Sequence, residues 1–130
     1  MIRPCVLVVN DDVHLAESVR RLLIAEGYDA HVTHDGFAAI QAAAGERQTD
    51  LILLDLFMPG LDGWGFLERR ALNPTLRDTP VLVWSVGSPE DLERARQLGA
   101  TECMSRVGCG PDGLLARVAQ LVNEAPERAH

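Results

Sequence analysis

Three uninterrupted apolar runs, CVLVV at Cys5–Val9, LILL at Leu51–Leu54 and VLVW at Val81–Trp84, leave this chain few choices of fold. Runs of four or five apolar residues without polar alternation suit strands covered on both faces, as in the centre of a parallel sheet. Two weaker segments fit the edges of that sheet. DAHVTH at Asp29–His34 alternates polar and apolar residues, and ECMS at Glu102–Ser105 is short and half polar. Between these segments the apolar residues recur with the helical period. Leu15, Val19, Leu22 and Leu23 form one stripe, closed by Gly27; Phe37, Ile40 and Ala44 form a second; Phe66, Leu67 and Leu72 form a third, stopped before Pro74. Leu92, Ala95 and Leu98 make a thin fourth, and Leu114, Leu115, Val118, Leu121 and Val122 the strongest. Strand and helix thus alternate five times. That order predicts right-handed crossovers and a three-layer α/β fold, with helices on both faces of a five-stranded parallel sheet.

With 130 residues and no repeat, linker or low-complexity segment, one domain over 1–124 accounts for the chain, followed by a frayed or disordered polar tail at 125–130. The net charge is −7 and no basic run occurs, which argues against a grip on nucleic acid. The apolar runs are too short to span a membrane, and MIRPCVLVVNDD reads as a strand meeting two aspartates, not as a signal peptide. Three cysteines with no CxxC pair fit reduced thiols in a cytoplasmic protein, with Cys103 and Cys109 as small buried hydrophobes. Trp64 and Trp84 read as core or rim packing. His14, His31, His34 and His130 show no ligand spacing and read as surface residues.

In an open parallel sheet, ligands sit beyond the carboxyl ends of the strands. The loops there carry Asn10-Asp11-Asp12, Asp55, Ser85-Val86-Gly87 and Arg106. An unpaired carboxylate at the end of a buried strand is costly, so Asp55 must face a cation, hydrogen-bond donors or a pocket. Crowded carboxylates with few other ligands suit Mg²⁺, and a carboxylate so placed can attack a phosphoryl group. Asn10 and Asp11 would equally serve as helix caps.

The segments VLVVNDD, LILLDLFMPGLDGWGFL, TPVLVWS and LGATECMSR resemble the receiver domain of bacterial two-component response regulators, over nearly the whole chain. The resemblance implies a flavodoxin-like, doubly wound (βα)5 fold of strand order 2-1-3-4-5. It also implies a phosphorelay role: Asp55 accepts a phosphoryl group from a sensor histidine kinase or a phosphotransfer protein. Mg²⁺ would be held by Asp11, Asp55 and the backbone carbonyl of Phe57, with Asn10 acting through water and Asp12 a further candidate. Ser85, Val86 and Arg106 would meet the phosphoryl group. The output would be a change in the face of the fourth helix, fifth strand and fifth helix, toward an unknown protein target or a second copy of the chain. Such a domain is not an enzyme beyond slow self-dephosphorylation.

The departures from the family pattern are specific. Asn10 replaces one acid of the first loop, which should weaken Mg²⁺ binding. Arg106 replaces a lysine, and Val107 follows it in place of proline. A cis bond before a non-proline costs about 2.5–4 kcal/mol, so Arg106–Val107 is expected to be trans. The glycine-rich loop VGCGPDG seats Arg106 poorly on this reading. Cys103 stands where the family has an aromatic switch residue, and Val86 where it has a small one. These changes motivate an alternative, a pseudo-receiver that binds partners without phosphorylation. A flavin carrier is disfavoured because NDDVH would repel a phosphate. An aspartate-nucleophile phosphatase is disfavoured because the candidate nucleophile follows the third strand instead of the first.

Overall fold

The computed structural model describes residues 3–45 and 47–124; the expected tail and His130 lie outside the described residues. The elements alternate as β1 (Cys5–Val9), α1 (Val13–Ala25), β2 (Asp29–Thr33), α2 (Gly36–Ala43), β3 (Leu51–Leu54), α3 (Gly63–Ala71), β4 (Val81–Ser85), α4 (Pro89–Gln97), β5 (Glu102–Ser105) and α5 (Pro111–Glu124). All pairings are parallel and the order is β2-β1-β3-β4-β5. Every residue of β1, β3 and β4 is buried, as their unbroken apolar runs require. β5 is half-exposed along its length, as an edge strand of mixed polarity should be.

The two-residue period of the strands divides the core. Leu7, Val9, Ile52, Leu54 and Val83 pack with Phe66 and Leu67 of α3 and Ala95 of α4. Val6, Val8, Leu53, Leu82 and Trp84 pack with Val19 and Leu23 of α1 and Leu114 and Val118 of α5. Each of the fully buried large side chains contributes about 1.5–3 kcal/mol relative to an exposed one.

Two helix faces differ from expectation. α2 buries Gly36, Ala39 and Ala43, while Phe37 is 52% exposed and Ala44 lies outside the helix as its C-cap. The segment is so rich in apolar residues that periodicity alone cannot phase it. Leu72 caps α3 and is 86% exposed; Leu76, in the following turn, fills the core instead.

Aspartates start three helices. Asp12, Asp35 and Asp62 each accept the backbone N–H three residues on, at 3.0, 2.7 and 2.8 Å. Ser88 and Asp91 form a reciprocal capping box at α4. On α3, the buried Arg70 donates through Nε and Nη2 to the Thr79 carbonyl at 3.1 and 2.6 Å, and through Nη1 to the Gly99 carbonyl at 3.4 Å. One guanidinium therefore joins α3 to the segments before β4 and after α4.

Gly63 sets how closely α3 approaches the end of β3. A Cβ there would lie 2.6 Å from Leu56 Cα and 2.7 Å from the Asp55 carbonyl oxygen, both backbone atoms. The Gly63 N–H uses that closeness to donate to the Leu56 carbonyl at 2.9 Å. Gly63→Ala is expected to cost about 1–3 kcal/mol, read as a lowered unfolding temperature by circular dichroism.

Candidate functional site

The carboxyl ends of β1, β3, β4 and β5 lie along one edge, where parallel pairing continues past the strands. The Asp55 N–H donates to the Val9 carbonyl at 3.0 Å and the Arg106 N–H to the Ser85 carbonyl at 2.9 Å. These bonds fix the backbones from which the site is built.

Asp55 is only 5% exposed. Ser85, fully buried at the end of β4, donates its Oγ hydrogen to Asp55 Oδ1 at 3.1 Å. Arg106 Nη1 stands 3.7 Å from the same oxygen. Burial pushes the Asp55 carboxyl above its ordinary pKa. Arg106, the Ser85 hydroxyl and the N–H groups of Phe57 and Leu56 oppose that rise without cancelling it. A buried carboxylate is thus ringed by donors, the requirement that its place at the end of an apolar strand imposes.

Arg106 corrects one expectation, since its loop does not leave it poorly seated. Its Cζ lies 5.3 Å from the centroid of the Trp84 ring, and Nη1 donates to the Trp84 carbonyl at 3.5 Å. A planar guanidinium can lie on an indole face in a way that a compact ammonium cannot. Sequence reasoning treated Trp84 as packing alone. Its support of Arg106 arises from β4–β5 pairing, which sets Trp84 beside Met104 and Ser85 beside Ser105. The Arg106–Val107 peptide is trans, as expected, because no cis bond occurs among the described residues.

The three residues of the first loop separate in role. Asn10 is buried and its Oδ1 accepts the Asp12 N–H at 2.9 Å. Asparagine makes this turn as well as aspartate does, so the backbone shape survives without the charge. Asp12, not Asn10 or Asp11, caps α1. Asp11 is exposed to solvent. Asp11, Asp12 and Asp55 do not close into a three-carboxylate cluster among the described residues. His34, expected to be a plain surface residue, places Nδ1 3.0 Å from the Asn10 carbonyl oxygen.

The rim of the site is apolar. Phe57 is 45% exposed and meets Trp64 edge-on at 5.2 Å between ring centroids, and Val86 is 55% exposed. Cys103, paired with Val83, packs half-buried on the α3–α4 side of the core, and burial raises its thiol pKa.

Comparison with known proteins places these features in context. The family profile described as "Response regulator receiver domain" matches residues 6–119. Response regulator MprA of Mycobacterium tuberculosis H37Rv is 44% identical over 79 residues, covering 60% of this chain and 33% of the relative. The match thus spans about a third of the length of that curated relative. The signal receiver domain of a signal transduction histidine kinase from Syntrophus aciditrophicus superposes with a TM-score of 0.84 at 25% identity, covering 98% of this chain and 97% of its own. Chemotaxis protein CheY4 of Vibrio cholerae gives 0.83 at 26% identity, covering 92% and 99%.

Proposed function

Because the chain belongs to the response regulator receiver family, we propose that it accepts a phosphoryl group on Asp55 from the phosphohistidine of a sensor kinase or phosphotransfer protein. The observation that carries this reading is the arrangement at Asp55: a buried carboxylate with the Ser85 hydroxyl and the Arg106 guanidinium both directed at Oδ1. An Asp55 oxygen forms the new O–P bond as the P–N bond to the donor histidine breaks, and the imidazole leaves with the electron pair. Arg106 meets the negative charge carried by the phosphoryl oxygens, and Ser85 can transfer its hydrogen bond from Asp55 to one of them.

The oxygen donors at this edge fit Mg²⁺. Asp11 is solvent-facing, while Asp55 is a carboxylate that burial disfavours as an anion. Asp11, Asp55 and the Phe57 carbonyl would hold the ion, Asn10 would reach it through water, and Asp12, one of whose oxygens caps α1, is a further candidate. Mg²⁺ held there would neutralise charge on the transferring group. Asn10 lowers the negative charge of the set, so binding is weaker than a full acidic pair provides.

The output face is that of α4, β5 and α5. Cys103 cannot supply a rotating aromatic, so the rearrangement runs through the Val86–Gly87 loop and the weakly buried α4. Incubation with acetyl phosphate and Mg²⁺ should add about 80 Da by intact mass, and chelation should prevent it. Absence of the adduct would sink the proposal. Phe57 and Val86 shield the phosphoryl group from water, so the acyl phosphate should be long-lived. Their joint replacement by alanine is expected to shorten its half-life several-fold in a phosphate-release assay.

A phosphorylation-independent interaction module is the second reading. The lost charge at Asn10 and the absence of a switch aromatic at Cys103 favour it. Partner binding that ignores both chelation and acetyl phosphate would select this reading.

A further inference from the structure

The opposite end of the sheet holds a second group of ligating side chains. Cys5 opens β1 and Asp29 opens β2, and the parallel register sets the two side by side. His31, two residues on, projects from the same face as Asp29. Potential ligand atoms of Cys5, Asp29 and His31 all lie within 4.8 Å of one another. Cys5 is buried, His31 half-buried and Asp29 exposed, so the group runs from the core to the surface. A cleft of about 340 Å³, lined in part by Cys5, His31, Arg47 and Thr49, opens beside it.

Arg47 already brings a cation to this place. Its Nη1 lies against the His31 ring, meeting both Nε2 and Nδ1, and 4.0 Å from Asp29 Oδ2, while His31 Nε2 stands 3.3 Å from Asp29 Oδ1.

We propose that Cys5, Asp29 and His31 form a site for a divalent transition ion of the Zn²⁺ class, with water as the fourth ligand and Arg47 as the cation that it displaces. One sulfur, one nitrogen and one oxygen donor suit Zn²⁺, whereas Mg²⁺ does not seek a thiolate. With metal–ligand bonds of about 2.0–2.3 Å, tetrahedral ligands stand roughly 3.3–3.8 Å apart, so the side chains need only a small inward adjustment. As the sulfur–metal bond forms, the Cys5 thiol proton passes to solvent. This site is independent of Asp55, and its failure leaves the phosphoacceptor reading untouched.

The test is Co²⁺ titration of the full chain carrying Cys103→Ser and Cys109→Ser. One equivalent should produce thiolate-to-cobalt charge transfer and the visible bands of a four-coordinate ion, both removed by Zn²⁺. Asp55→Asn should retain the spectrum, Cys5→Ser should lose the charge transfer, and Arg47→Gln should tighten binding. His31→Ala, at a half-exposed position with little effect on folding, should weaken binding roughly tenfold or more. No charge transfer in the parent chain, or a band indifferent to Cys5→Ser and His31→Ala, would overturn the site.

Discussion

Asp55→Asn is expected to abolish the phosphoryl adduct and, at neutral pH, to make the fold more stable. The first effect follows because the neutral amide is not a nucleophile comparable with carboxylate. The second follows from burial, which raises the Asp55 pKa above that of an unfolded aspartate. A group shifted in this direction favours folding fully below its unfolded pKa, and that contribution is lost as pH rises through the folded value. At neutral pH the ionised side chain therefore carries a net cost that asparagine avoids. The gain should appear as a raised unfolding temperature at neutral pH. Thermal melts should show the gain shrinking in acid as the native carboxyl protonates. An equal gain at all pH values would contradict this origin.

Trp84→Ala should have the largest effect on stability, about 3–5 kcal/mol, because it empties a buried site against Val8, Val19 and Val118 in the α1–α5 half of the core. Chemical denaturation measures this directly. Milder changes separate packing from positioning. Trp84→Phe keeps an aromatic face beneath Arg106 and should label on Asp55 at close to the parent rate. Trp84→Leu keeps apolar volume without that face and should label as slowly as Arg106→Ala. The double variant should be no slower than either single one, as expected when two residues act through one contact. Additive losses would show that the indole does not work through the guanidinium.

The layers of the fold were legible because buried parallel strands need long apolar runs, and LILL and VLVW admit few other readings. Helix phase was less so. In α2, alanine at nearly every turn leaves little polar side to mark the outer face, and the period puts Phe37 inward although it is half exposed. At the site, Asp55 and Ser85 could be found because each ends a recognisable strand. The seat of Arg106 could not, because an indole from the neighbouring strand provides it and local sequence does not record such pairs. The same holds for Cys5, Asp29 and His31. The first two lie 24 positions apart in the chain, and only the register of β1 with β2 makes them neighbours. Asp12 shows how a motif can mislead, since three polar residues in a row look alike until one of them is needed at a helix N-terminus.

Arg70 has a mechanical consequence for α4. That helix fully buries only Ala95, with Leu92 and the cap residue Leu98 partly buried beside it, so apolar contact gives it modest purchase on the sheet. It is tethered through the Gly99 carbonyl at one end and through Trp64 Nε1, which donates to the Asp91 carbonyl at 3.1 Å, near the other. Each tether is a single part-buried bond, but the guanidinium at the first is itself held by two further bonds to the Thr79 carbonyl. The element should swing like a door hung at Gly99, with its free edge at Pro89 beside the Val86 loop. Amide protons in its first turns should exchange with solvent sooner than those in its last.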